Sequence, residues 1–165
     1  MTRRGAAAAI ATLALLSAIG FRKARAESGL KLREIRVDVS LLRASAGEPT
    51  ASWVEDELPR DLAQALATNL SPGDRMGAVL YARIDSIYLG PSGGGMGMSG
   101  AARDAIEGLL TMKGPHAGIA AETRLRATTS YSSGPDQASL AEAYHWRVIA
   151  LAQAFASWTP RQLGI

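Results

Sequence analysis

Two kinds of apolar spacing follow one another along this chain, and together they restrict the folds it can adopt. Polar residues alternate with Leu125 and Ala127, and a two-residue period is typical of a β-strand with one face in water. Elsewhere, apolar side chains recur every three or four residues, which predicts amphipathic helices. The predicted strands cover residues 35–41, 79–89, 105–112 and 123–131, and the predicted helices cover residues 52–70 and 139–159.

The third strand is the ambiguous element, because residues 105–112 fit either period. Gly108 and Thr111 favour a strand, since both are poor helix formers. The resulting order, βαβββα, predicts an α+β fold with a four-stranded, antiparallel-rich sheet and two helices on one face. The other face would carry charged side chains from three strands: Arg36, Asp38, Arg83, Asp85, Arg124 and Arg126. We interpret them as solvated cross-strand pairs in preference to a charged binding surface.

Local signals refine the ends of the helices. Ser52 with Glu55, and Ser139 with Glu142, match the capping box that begins many helices. Residues 44–50 contain glycine and proline and are predicted to form a loop. Pro59 predicts either a kink in the first helix or the start of its regular part.

The N-terminal 26 residues have the three parts of an export signal. Arg3 and Arg4 precede an uncharged run of 17 residues, and Ala24 and Ala26 form a small-x-small cleavage pattern. We therefore predict a signal peptide over residues 1–26, a single domain over residues 27–165, and a periplasmic or secreted protein. The alternative is an uncleaved inner-membrane anchor, since 17 residues are at the short limit for a membrane span. The arginine pair also allows export by the twin-arginine route instead of the ordinary secretory route.

The net charge of the whole chain differs in sign from that of the predicted domain. The net charge is +3 and the pI is 9.6, but residues 1–26 hold five basic residues and no acidic one. The remainder has 13 basic against 15 acidic residues, a net charge of −2, which argues against a nucleic-acid partner. The absence of cysteine excludes disulfides, thiolate metal sites, a thiol nucleophile and a lipidated cysteine.

Residues 90–100 form a glycine-rich connection that invites two interpretations. Residues 95–100 match G-x-G-x-x-G, but a dinucleotide site requires a helix directly afterwards and a strand is predicted here. Met96 and Met98 could offer sulfur to Cu(I), with Met112 or His116, but two methionines do not specify a site. We predict no cofactor and no metal, and we treat Met96 and Met98 as candidate partner contacts.

The tryptophans of the last helix differ in their predicted environments. Trp158 continues the apolar stripe and is predicted to lie in the core. Trp146 falls off the stripe, so it is either an exposed partner contact or partly buried under the preceding loop. His116 and His145 lack metal-ligand spacing.

The order of elements resembles that of the LptE-type envelope proteins. The resemblance implies two helices against a four-stranded sheet and a role in outer-membrane lipopolysaccharide assembly. That family is anchored by a lipidated cysteine, which this chain lacks, so no functional residue is transferred. We expect a non-catalytic exported protein that binds an envelope partner through an edge strand or residues 90–100. The alternative is a small exported enzyme or ligand-binding domain with residues 90–100 as a lid.

Overall fold

A computed structural model describes residues 31–91, 102–116, 118–131 and 139–165. These residues form four strands and three helices in the order βααβββα. The elements are β1 (Leu32–Asp38), α1 (Ser40–Ala46), α2 (Thr50–Ala65), β2 (Ala78–Tyr88), β3 (Ala102–Lys113), β4 (Ile119–Tyr131) and α3 (Leu140–Leu163).

The four strands form one mixed sheet in the order β1-β2-β3-β4. β1 is parallel to β2, and the other two pairs are antiparallel, which confirms the predicted α+β class and antiparallel-rich sheet. β1 and β4 are therefore the edge strands. The ambiguous residues 105–112 are strand, as predicted.

The core lies between the sheet and the helices. Its largest fully buried side chains come from every element except β4, and they are Leu32, Leu42, Val54, Leu58, Leu62, Leu66, Leu80, Ile84, Ile106, Leu110, Leu151 and Phe155. Gly108 allows α3 to approach the sheet, because a Cβ there would lie 2.5 Å from the Arg83 carbonyl oxygen and 3.1 Å from Phe155 Cζ. Among the described helices, none is long and apolar enough to cross a membrane.

The predicted end of the first strand and the following loop are wrong. β1 stops at Asp38, whose Oδ1 accepts a hydrogen bond of 2.9 Å from the Ser40 amide, and α1 takes up residues 40–46. The helix places Leu42 in the core and leaves Leu41 about half exposed. Strand alternation would have turned Leu41 inward, so tertiary packing of Leu42 decides the local structure.

The predicted capping box of the first long helix is also wrong. α2 begins at Thr50 without a side-chain cap, and Glu48 instead accepts hydrogen bonds from the amide and hydroxyl of Ser52. Glu55 pairs with Arg43 of α1 at 2.6 Å. Pro59 lies inside α2. The helix ends at Ala65 because residues 66–70 turn back towards β1, where Leu70 bridges to Leu32.

The last helix begins as predicted and ends later. Ser139 and Glu142 form the reciprocal capping box, and Pro160 lies inside a helix that continues to Leu163. Trp158 is 48% exposed, so its predicted place in the core is wrong. The buried stripe passes through Phe155 and Thr159, which leaves Trp158 at its edge beside Arg161.

Candidate partner-binding surface

Four aromatic rings meet near the N-terminal ends of α2 and α3, where the two helices lie side by side. Trp53 of α2 lies 4.5 Å from the His145 ring and 6.0 Å from the Tyr144 ring, measured between centroids. His145 is stacked at 5.8 Å on Trp146. Trp146 is 62% exposed and Tyr144 is 39% exposed. We call Trp53, Tyr144, His145 and Trp146 the aromatic surface.

The starts of both helices hold the aromatic surface in place. The capping box at Ser139 fixes where α3 begins, so residues 144–146 fall in its second turn. The hydroxyls of Thr50 and Tyr144 lie 3.2 Å apart and form a hydrogen bond between the two helices. Leu140 is 83% exposed, one turn before Tyr144, and extends the apolar area.

A buried ion pair sets the rotation of α3 about its axis. Arg147 directly follows Trp146, and its Nε donates to Asp104 Oδ2 at 2.8 Å. Its Nη2 donates to Asp104 Oδ1 and, at 2.6 Å, to the Gly90 carbonyl oxygen. The Asp104 side chain is fully buried and that of Arg147 is 7% exposed. Successive helical residues differ by about 100° in direction, so this pairing keeps Trp146 turned outward.

The same pair holds the end of β2 against the start of β3. Asp104 Oδ1 also accepts a hydrogen bond of 3.0 Å from the Gly90 amide. A Cβ at residue 90 would lie 2.8 Å from the Arg103 carbonyl oxygen, so only glycine permits this approach. β2 ends at Tyr88, the described chain continues to residue 91, and β3 begins at Ala102.

The predicted charged face lies on the side of the sheet opposite the helices. Asp38 lies opposite Arg83 in the strand register, and Arg36 pairs with Glu34 on its own strand. Arg83 pairs with Asp85 at 2.8 Å, and Arg124 reaches the same carboxylate at 3.6 Å. Arg126 pairs with Glu107 at 3.3 Å. These contacts are solvated ion pairs, but Arg83 pairs within its own strand and Arg124 reaches Asp85 across β3. Pairing between neighbouring strands, as predicted, is found for Arg126 with Glu107.

Charge pairing also shifts the titration of carboxylates on this face and near α1. A hydrogen bond from Arg36 holds the pKa of the Glu34 carboxyl below its usual range. Hydrogen bonds from Arg43 and then Ser52 lower the pKa of Glu48 in the same way. These carboxylates are therefore ionised acceptors at neutral pH.

Some of the predicted site residues lie within the described part of the structure and others do not. Trp146 is exposed, and its role as a partner contact stays a prediction. Met112 is a core residue at 2% exposure. Met96, Met98, Ala24 and Ala26 lie outside the described residues. Within the described ranges, no group of three or more His, Asp or Glu side chains could hold a metal ion.

Sequence analysis missed Trp53, Asp104 and Arg147. The alternation that places Ile106 and Leu110 on the apolar face extends back to residue 104. A carboxylate on an apolar face requires a partner, so this pattern could have identified Asp104. No local pattern links it to Arg147, which lies 43 residues further along the chain.

Comparison with known proteins gives weak likenesses only. No protein-family model and no curated protein matches the sequence. A candidate lipoprotein from Caulobacter crescentus has a TM-score of 0.49 and 13% identity, covering 79% of this chain and 87% of the other. A minor lipoprotein from Acinetobacter baumannii has a TM-score of 0.48 and 16% identity, covering 82% and 92%. A Xanthomonas campestris protein of the DUF330 family has a TM-score of 0.42 and 16% identity, covering 78% and 83%. At these scores the likenesses establish no common family or function, and the resemblance to LptE-type proteins stays a prediction.

Proposed function

We propose that this chain is a non-catalytic exported protein that binds an envelope partner through the aromatic surface. The observation that carries the proposal is the position of Trp146, which is 62% exposed on a rigid helix and continues a cluster of aromatic rings. Tryptophan and tyrosine dominate the energetic centres of protein interfaces, because each buries a large area with little loss of side-chain freedom.

The support of the aromatic surface favours binding without prior rearrangement. Trp146 is followed by Arg147, which is fixed to Asp104 and Gly90. Tyr144 is fixed to Thr50. Binding therefore loses little conformational entropy in this helix, and most of the buried apolar area contributes to affinity.

The proposed partner is a protein with an apolar groove that accepts Trp146. The segment with Met96 and Met98 is proposed to add contacts, since methionine adapts to irregular apolar surfaces. The described chain enters this segment immediately beyond Gly90, whose carbonyl oxygen is bound by Arg147. Its start is thus tied to the helix that carries Trp146.

The test compares two exposed tryptophans on one helix. Trp146→Ala removes the centre of the aromatic surface, and Trp158→Ala is the matched control, 12 residues further along α3 and 48% exposed. The tagged full chain is purified from its own envelope fraction, the co-purifying protein is identified, and the affinity of the purified pair is measured by calorimetry. We expect Trp146→Ala to weaken binding by about 2 kcal/mol or more, roughly 30-fold.

Two outcomes would contradict the proposal. One is an affinity that Trp146→Ala leaves unchanged, and the other is an equal loss from Trp158→Ala. Deletion of residues 93–98 tests the second contact: weaker binding with an unchanged melting temperature supports a role for Met96 and Met98. Mass spectrometry of the mature N-terminus tests export, with Glu27 expected as the first residue and Met1 as the contradicting result.

A further inference from the structure

The sheet face opposite the helices contains a depression near the ends of β2, β3 and β4. Its volume is about 420 Å³, and it is lined by Tyr88, Arg103, Asp104, Ala105, Arg126, Thr128, Thr129 and Ser130. The register explains the shape. Ala105 lies opposite Tyr88 on one side and Thr128 on the other, so a small side chain forms a floor between larger ones.

The depression is rich in hydrogen-bond donors. Arg103 forms no hydrogen bond or ion pair with the described residues, nor do the hydroxyls of Tyr88, Thr128 and Ser130. Arg103 lies directly opposite Ser130, and Arg126 lies two residues before Thr128 on the same strand. A strand rises about 3.4 Å per residue, so the Cα atoms of these five residues span about 14 Å along the strands. Arg103 and Arg126 stand on opposite sides of Ala105, and their long side chains can reach the depression from both ends.

The local charge is positive. Glu107 is the partner of Arg126, but the pair is long at 3.3 Å and its side chains are 65% and 46% exposed, so water or an anion competes for the guanidinium readily. The carboxylate of Asp104 points to the opposite side of the sheet, where it binds Arg147. Two arginines thus face this depression, and the carboxylate that lies near them is that of Glu107, in a long and exposed ion pair with Arg126.

We propose that this depression binds a phosphate-type oxyanion, held by Arg103 and Arg126 and by the hydroxyls of Tyr88, Thr128 and Ser130. Guanidinium groups match the oxygen spacing of phosphate and form charge-assisted hydrogen bonds with it, and the hydroxyls satisfy the remaining oxygens. The oxyanion is either a free phosphate group or a lipid headgroup that carries one. This site is separate from the aromatic surface, which lies on the helix side of the molecule.

The first experiment locates the site with inorganic phosphate. Protein purified after expression of the full 165-residue chain is titrated at constant ionic strength, and amide shifts are followed by NMR. We expect saturable shifts at residues 103–105 and 126–130. Arg103→Gln should weaken binding about tenfold, because it removes a charge-assisted contact. Arg124→Gln is the matched control, since Arg124 lies on the same strand and face but pairs with Asp85 outside the depression.

A second arm distinguishes the two sources of phosphate. Vesicles of phosphatidylcholine with about 30% phosphatidylglycerol are compared with pure phosphatidylcholine vesicles in a flotation assay, because only the former present an excess of anionic phosphate. Binding of inorganic phosphate without any effect of Arg103→Gln on flotation supports a free oxyanion. Loss of flotation in Arg103→Gln but not in Arg124→Gln supports a headgroup.

Either pattern supports the site, and two results would overturn it. The first is the absence of saturable binding by both probes. The second is an equal loss from Arg103→Gln and Arg124→Gln, which would reduce the effect to general surface charge. Both variants change exposed side chains, so unfolding does not complicate the comparison. Neither result bears on Trp146, so this proposal and the proposed function fail separately.

Discussion

Removal of Asp104 is the most informative perturbation of the fold. Asp104 is fully buried and accepts hydrogen bonds from Arg147 and from the Gly90 amide. Asp104→Ala would leave the Arg147 guanidinium buried without its carboxylate. Breaking a buried ion pair from one side costs about 3–5 kcal/mol, because the remaining charge has lost its compensation. This is a large part of the 5–15 kcal/mol that is typical of a whole domain.

Replacing Asp104 and Arg147 together separates the effect of a buried charge from the effect of lost packing. In the double variant Asp104→Leu with Arg147→Met, both charges of this pair are removed together, and apolar side chains take their place. The amide and carbonyl of Gly90 still lose their partners, which costs about 1–3 kcal/mol. We therefore expect the double variant to be no less stable than either of its single variants, Asp104→Leu and Arg147→Met.

Urea unfolding followed by tryptophan fluorescence measures these differences. Glu107→Gln is the control, because it breaks an exposed pair on the same strand and should cost less than about 1 kcal/mol. A cost for Asp104→Ala of less than about 1 kcal/mol would refute the reasoning. So would a double variant whose loss equals the sum of the two single losses, since independent sites add and coupled ones do not.

Two further predictions concern a close contact and a poorly solvated carboxylate. Gly108→Ala should cost about 1–3 kcal/mol in urea unfolding, because its Cβ would lie 2.5 Å from the Arg83 carbonyl oxygen; Gly73→Ala, whose Cβ meets nothing within 4 Å, should be near neutral. Burial raises the pKa of Asp61 above 3.8, and its Oδ2 has no hydrogen-bond partner among the described residues. The folded state therefore binds more protons than the unfolded chain between pH 3.8 and the raised pKa, and stability falls as the pH rises through that window. Asp61→Asn should raise the melting temperature at pH 7 and lose this advantage below pH 3.8. Asp56→Asn is the control on the exposed side of the same helix and should leave the melting temperature unchanged. Equal effects of the two variants would contradict the role of Asp61.

Elements with a long, uninterrupted period were predictable from the sequence. The alternation in residues 123–131 lies within β4, and the capping box at Ser139 begins α3 as predicted. These signals are local: a strand or helix places its own residues by its own geometry, whatever packs against it. For the same reason, the alternation of side chains within each strand was enough to assign the charged residues to one face.

The short connection between β1 and α2 was not predictable. Residues 39–42 contain three apolar side chains that suit a strand or a helix. The choice depends on whether Leu41 or Leu42 reaches the core. That burial is a property of the assembled layers, and it outweighs the weak local preference for either structure.

The candidate functional residues divide in the same way. The sequence by itself determined that Trp146 lies off the main apolar stripe and that its helix begins at Ser139, because both follow from helical spacing. Only the tertiary structure decided that Trp146 is exposed, that Trp53 and His145 join it, and that Arg147 meets Asp104. The contact of Arg147 with Asp104 joins residues 43 positions apart, and Trp53 meets His145 from another helix. No short-range pattern encodes such contacts, because only the packing of helices on a sheet creates them.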